Sequence, residues 1–147
     1  MTPDVNVLVA ASRSDHPHHA AARAWLEGAA SAAAVGSTLV LLPMVLTGFL
    51  RLSSSPRIFH DPTPVDDAAG FVDALLSARG VEMARLGPEW PRLRQLCAER
   101  RLEGNAVTNA WIAAATIHLG EHLVSFDREF RKLLRRSQLT LLRVDGA

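Results

Sequence analysis

The sequence predicts an α/β fold: one domain with three layers, in which helices flank a central, mainly parallel sheet. Three observations predict it. Short β-branched apolar runs alternate with longer stretches of helical apolar period. Clusters of Gly, Pro and Ser punctuate most junctions between them. The chain of 147 residues, 48% of them hydrophobic, matches one core and one domain spanning 1–147.

Taken in order, Val5–Ala10 is a short β-branched run and reads as a buried first strand. Ser14-Asp15-His16-Pro17 supplies a capping residue and a helix-starting proline, and Ala20, Ala21, Ala24, Trp25 and Leu26 trace one face of the helix behind it. Gly36 and Ser37 precede a second strand, Thr38–Leu42. Pro43 opens a helix through about Leu52, which ends at Ser53-Ser54-Ser55-Pro56. Thr63-Pro64-Val65-Asp66 starts a helix that carries Ala68, Phe71, Val72 and Leu75 inward and stops at Gly80. Val81–Leu86 is a third, weaker strand. Pro88–Leu102 is an amphipathic helix ended by Gly104, and Val107–Leu119, apolar on almost every side, is a central one. His122–Ser125 gives a fourth strand, Asp127–Arg136 a basic helix and Leu139–Val144 a final strand. Such alternation implies right-handed crossovers, with the functional loops beyond the carboxyl ends of the strands.

Composition bounds the function. Charged residues make up 21% of the chain, which excludes a disordered polyelectrolyte, and the net charge of +1 means that any nucleic-acid surface is local. The single cysteine, Cys97, excludes an internal disulfide framework and reads as a core thiol in a reducing compartment. No apolar run reaches the roughly 18 residues of a membrane span, and no basic start precedes an apolar one as in a signal peptide. The expectation is a soluble, cytoplasmic protein with no membrane partner.

The strand-end rule singles out a few polar residues. Asp127 follows the fourth strand and could also cap the next helix. Asp4 belongs to the first strand, where an aspartate is costly to bury unless paired or metal-bound, or else frays exposed at the terminus. Asn109 lies in the first turn of the late apolar helix, a common place for a polar residue. Alone, none of the three is specific.

Together they carry a resemblance. The segments Asp4-Val5-Asn6-Val7-Leu8-Val9-Ala10, Asp15-His16-Pro17-His18-His19-Ala20-Ala21 and Thr47-Gly48-Phe49-Leu50-Arg51-Leu52 follow in order. Behind them come Gly104-Asn105-Ala106-Val107-Thr108-Asn109-Ala110-Trp111 and Leu123-Val124-Ser125-Phe126-Asp127-Arg128-Glu129-Phe130. This succession resembles the PIN-domain ribonucleases, specifically the VapC toxins of VapBC toxin–antitoxin modules, over nearly the whole chain. The resemblance implies an endoribonuclease in which acidic residues from four segments hold Mg²⁺ or Mn²⁺. It also implies a homodimer, neutralised by a small VapB-like antitoxin whose peptide covers the active-site groove. Asp4 matches the family's first-strand aspartate and Asp127 its late one, so these two are the expected metal ligands. Asn109 stands where the family carries an aspartate. The early-helix glutamate falls within about Leu46–Gly48, which holds no acid.

Asp4, Asn109 and Asp127 are therefore the expected catalytic set, with two negative charges, and weak metal binding and poor turnover should follow. Asn6 and Ser125 are expected to orient the aspartates or to hold metal-bound waters. Either Asn109 is natural and the enzyme weak or specialised, or it replaces an aspartate of the parent gene. Arg128, Arg131 and Lys132, in the basic stretch beside Asp127, suit RNA phosphates, as does Arg51, with Arg57 nearby in the family pattern. Location aside, that stretch is equally legible as a solvated helix face; its place beside Asp127 favours RNA contact. His16, His18 and His19 argue little for zinc, since no cysteine is near and one helix would supply all three. Trp25, Trp90 and Trp111 read as core or interface. Two rivals stand beside the nuclease. One is a PIN fold with a decayed metal site that binds RNA or antitoxin without cutting. The other is a phospho-acceptor domain, for which the only lysine, Lys132, is badly placed.

Overall fold

The structure is a computed structural model and describes residues 1–143. Five short strands and six α-helices alternate: β1 (Thr2–Pro3), α1 (Val5–Ser12), α2 (His19–Ala34), β2 (Leu39–Leu41), α3 (Pro43–Ser53), α4 (Val65–Ser77), β3 (Val81–Met83), α5 (Trp90–Arg100), α6 (Asn105–His118), β4 (Leu123–Ser125) and β5 (Leu139–Leu141). β4 lies between β1 and β5, and β2 pairs with β3; every pairing is parallel. The Val40 N–H donates to the Met1 carbonyl at 2.9 Å and joins the two sheets at the β2–β1 edge. The expected α/β class with a parallel sheet is borne out. Among the described residues no helix is long and apolar enough to cross a membrane.

The first expected strand is a helix. Val5–Ser12 forms α1, and β1 is only the two residues before Asp4. Val7, Leu8, Val9, Ala10 and Ala11 are all buried, because α1 packs against α2, α3 and β4 together. A segment buried on every side carries no periodicity, so a buried helix and a buried strand read alike. Asp4 decides the matter as N-cap: its backbone is extended (φ −77°, ψ 166°) and its carbonyl accepts the Leu8 N–H at 3.4 Å.

The basic helix also differs. After Asp127 the chain makes two 3₁₀ turns, Arg128–Lys132 and Arg136–Gln138. Arg128, Arg131, Lys132, Arg135 and Arg136 would stack like charges at helical spacing, which disfavours a continuous helix, while the buried Phe130 and Leu134 pin the segment down. Ser14–His18 forms turns instead of a first helical turn, and α2 begins at His19. α6 begins at Asn105, two residues earlier than expected, behind Gly104 at φ +59°. β5 covers Leu139–Leu141, and Val144 lies outside the described residues. Cys97 is only half-buried, and Trp90 and Trp111 are exposed on α5 and α6.

Candidate metal centre

Asp4 follows β1 directly, and its N–H continues the ladder by donating to the Val124 carbonyl at 2.9 Å. The residue is 5% exposed. Its Oδ1 accepts the Val5 N–H at 2.7 Å, and its Oδ2 accepts the Ser125 hydroxyl at 2.6 Å. Ser125 closes β4 and is fully buried. Its Oγ accepts the Asp127 N–H at 2.9 Å and an Asn6 Nδ2–H at 3.3 Å, which uses the one donor and both acceptor sites of a hydroxyl. Asn6 in turn accepts the Phe126 N–H on its Oδ1 at 3.3 Å. Ser125 and Asn6 therefore tie the end of β1 to the end of β4.

The Asp127 Oδ1 caps the first 3₁₀ turn by accepting the Glu129 N–H at 2.9 Å, so the capping role and a place at the site coexist. Its Oδ2 accepts a long bond, 3.4 Å, from Nδ2 of Asn109, on the second turn of α6. Three segments, two of them more than a hundred residues from the first, thus converge at the carboxyl edge of the sheet.

Burial pushes the Asp4 carboxyl above its ordinary range; the Ser125 and Val5 hydrogen bonds work against this, and the nearby Asp127 charge adds to it. Among the described residues no Lys, Arg or His pairs with Asp4 or Asp127 within 4 Å. Two carboxylates without a cation, one of them desolvated, form a hard-oxygen donor set of the right sign for Mg²⁺ or Mn²⁺. Asn109 turns its Nδ2–H toward Asp127, and its amide oxygen could join the set only on a flip of the amide, adding no charge. Among the described residues no group of three or more His, Cys, Asp or Glu lies placed to hold a metal; two carboxylates would leave most positions of an octahedral ion to water and substrate phosphate.

The early-helix position is closed. A Cβ on Gly48 would lie 2.9 Å from Cγ2 of Val5, the residue whose N–H holds Asp4. Leu46 is buried, and Thr47 bonds the Pro43 carbonyl of its own helix. Val5 thus occupies the space into which a side chain at 48 would grow.

The expected RNA-binding residues separate. Arg128 and Arg131 line a groove of about 1000 Å³ that runs past Phe126 to β5. Lys132 pairs with Glu129 at 2.8 Å and lines a second depression with Arg92, Arg100 and Arg135. Arg51 is exposed on the last turn of α3, one turn beyond Gly48, with no ion pair among the described residues.

Residues the sequence did not single out hold the loop beside the site. Arg13 is buried and donates to both carboxylate oxygens of Asp15 (3.1 and 2.8 Å), to the Thr63 hydroxyl (2.9 Å) and to the Asp61 carbonyl (2.7 Å). Its guanidinium also sits 3.8 Å from the Phe59 ring centre. Buried Glu89 accepts Trp111 Nε1–H and the Gly87 N–H; these bonds outweigh its desolvation and hold its carboxyl below the ordinary value. Only the partner geometry, across 48 residues or more for Arg13 with Asp61 and Thr63, reveals such roles.

Residues 1–135 match the family model for the PIN domain. The chain is 35% identical to Ribonuclease VapC25 of Mycobacterium tuberculosis (strain ATCC 25618 / H37Rv) over 130 residues, covering 88% of this chain and 89% of the relative. It is 38% identical to Ribonuclease VapC43 of the same strain over 133 residues, covering 90% of this chain and 88% of that protein. Among solved structures, VapBC2 from Rickettsia felis bound to a DNA fragment from their promoter matches with a TM-score of 0.64 at 19% identity, over 97% of this chain and 98% of that one. The latter is a likeness of fold.

Proposed function

This chain belongs to the PIN-domain family, and we propose that it is a VapC-type endoribonuclease toxin that uses Mg²⁺ or Mn²⁺ and is held in check by a VapB-like antitoxin. The observation that carries the reading is the Asp4–Ser125–Asp127 linkage with Asn109 against it, at the sheet edge where α/β folds keep their ligands. Relatives named ribonucleases, aligned over about nine-tenths of the chain, support the substrate class.

In this reading Asp4 and Asp127 are the metal ligands and supply the negative charge. Ser125 and Asn6 fix their direction, so that little reorganisation is needed when phosphate arrives. Bound there, the ion would polarise the phosphodiester, acidify an attacking water and stabilise the leaving oxygen. Asn109 offers an oxygen but no charge, so the chain as it stands is a weak enzyme. Arg128 and Arg131 take RNA phosphates beside the metal; Lys132 and Arg51 do so from outside the groove. The protein acts as a homodimer in the cytoplasm.

Gly48, closed off by Val5, favours one second reading: a PIN fold that binds RNA or antitoxin and has lost cleavage. The Asn109→Asp variant separates the two. With Mg²⁺ or Mn²⁺ it should cut structured RNAs orders of magnitude faster than the parent. A calorimetric Mn²⁺ titration showing no site, together with an inert variant, would leave the binding module.

A further inference from the structure

α6 carries Asn109, yet little in its own sequence fixes how far the helix is turned about its axis. Its N-terminus has no side-chain cap. Its buried residues are Ala110, Ala113, Ala114, Ala115 and Thr116, with Ile112 as the one large apolar side chain. Ridges made of alanine are low, so they interlock less with a neighbouring helix, and resist rotation less, than ridges of leucine. The bond from Asn109 to Asp127, at 3.4 Å, is a weak tie.

The strong tie is on the other side. Positions 109 and 111 differ by about 200° around a helix, so Trp111 leaves α6 opposite Asn109. Its Nε1–H donates to Oε1 of Glu89 at 2.9 Å, and Oε2 of the same carboxylate accepts the Gly87 N–H at 2.7 Å. Glu89 is 4% exposed, and among the described residues no Lys, Arg or His pairs with it within 4 Å. Burial pushes its carboxyl up, yet these two bonds hold it below the ordinary 4.5, so it accepts them as an anion and binds more strongly for it. Its backbone is anchored as well: the Glu89 carbonyl accepts the Leu93 N–H at 3.0 Å where α5 begins, and Gly87 sits at φ +133°, a conformation that favours glycine. Neither metal binding nor RNA contact has a use for this carboxylate.

We propose that Glu89 is a positioning residue for the metal centre: its grip on the Trp111 indole sets the rotation of α6, and thereby the distance of residue 109 from Asp127. A side-chain tip lies about 6 Å from the axis of its helix, so a rotation of about 10° carries it through about 1 Å. That is the difference between an oxygen about 2.1 Å from Mg²⁺ and one about 3 Å away, too far to ligate. The effect on metal rests on the Mg²⁺ or Mn²⁺ reading above, whereas the effect on the place of Asn109 needs no metal.

Two measurements test it. The first is NMR in EDTA, on the side-chain amide signals of Asn109, identified by their disappearance in Asn109→Asp. Trp111→Phe removes the donor and keeps a ring at a residue that is 37% exposed, so the fold should survive; melting curves establish that it does. Trp111→Phe and Glu89→Ala should both shift and broaden the Asn109 amide signals. Glu89→Gln keeps an oxygen for the indole and should stay closer to the parent than Glu89→Ala. Parent-like Asn109 signals in Trp111→Phe and Glu89→Ala would overturn the proposal. The second is a calorimetric Mn²⁺ titration of Trp111→Phe with and without Asn109→Asp. Together with Asn109→Asp it should lose most of the roughly tenfold tighter binding expected of the new aspartate. In the parent, whose Asn109 turns its Nδ2–H to Asp127, it should leave Mn²⁺ affinity unchanged. Equal losses in both backgrounds would mean a general loosening and overturn the positioning role. A displaced Asn109 amide, with Mn²⁺ affinity indifferent to residue 109, counts against the metal reading alone.

Discussion

Asn109→Asp places a carboxylate oxygen where Nδ2 of Asn109 now donates to Asp127, 3.4 Å away. Two unit charges at that distance repel by about 1 kcal/mol under water-like screening and by about 5 kcal/mol at an effective dielectric of about 20. Both residues are partly exposed, so the weaker end governs. Without metal the substitution is therefore mildly destabilising. A dication about 2.1 Å from the new oxygen attracts it by about 4 kcal/mol under the same screening. The repulsions from Asp127 and Asp4 are present with and without the ion and cancel in the binding difference. Dehydration of the new carboxylate and loss of the amide ligand offset part of the attraction and leave on the order of 1.5 to 2 kcal/mol. Mn²⁺ should accordingly bind at least about tenfold more tightly. The assay is a calorimetric Mn²⁺ titration of parent and variant, paired with melting curves in EDTA and in Mn²⁺. The variant should melt lower than the parent in EDTA and gain more from Mn²⁺. Unchanged Mn²⁺ affinity would refute the assignment of Asn109 to the ligand set. Tighter Mn²⁺ with no cleavage of any structured RNA would refute the nuclease.

Three further outcomes follow from the same geometry. The folded Asp4 carboxyl sits above its ordinary value of 3.8, so the folded chain holds a proton that the unfolded chain releases, and metal-free stability falls as pH rises through that interval. Asp4→Asn should remove this fall, seen as a flatter dependence of Tm on pH in EDTA, and abolish the Mn²⁺ heat; a profile parallel to the parent's would count against a desolvated Asp4. Arg13→Lys keeps the charge but loses the planar fork that reaches Asp15, Thr63 and Asp61 together, and should cost about 2–4 kcal/mol, a Tm drop of roughly 6–12 °C. A drop of a degree or less would mean that the clamp is dispensable. Gly48→Glu alone drives Cβ against the stiff Val5 side chain and should destabilise by about 1–3 kcal/mol without improving Mn²⁺ affinity. With Val5→Ala added, the titration should show tighter Mn²⁺ than the parent; equal affinity would exclude position 48 from the site.

Much of the fold was legible because its punctuation is local. Pro43 opens α3, Gly80 stands before β3, and Leu39–Leu41 and Leu123–Ser125 sit inside the runs that read as strands. Val5–Ser12 was not legible as a helix, since its partners α2, α3 and β4 bury it all round and erase the period that separates the two structures. Placing Asp4 in a strand was nevertheless harmless to the site. Helix or strand, Asp4 remains the residue that leaves β1 beside the end of β4.

The sequence by itself determined the donor chemistry: two aspartates, an amide at a third position, no acid at Leu46–Gly48, and a serine and an asparagine beside the proposed ligands. Residue type sets charge and hydrogen-bonding capacity before any folding. The tertiary structure alone decided what those groups experience. Ser125 reaches Asp4 across 121 positions, burial raises the Asp4 carboxyl, and Val5 fills the space beside Gly48. It also sorted the basic stretch into arginines along a groove and a Lys132 paired elsewhere. Desolvation and Coulomb energies depend on distances between residues remote in the chain, and only the packed fold sets those distances.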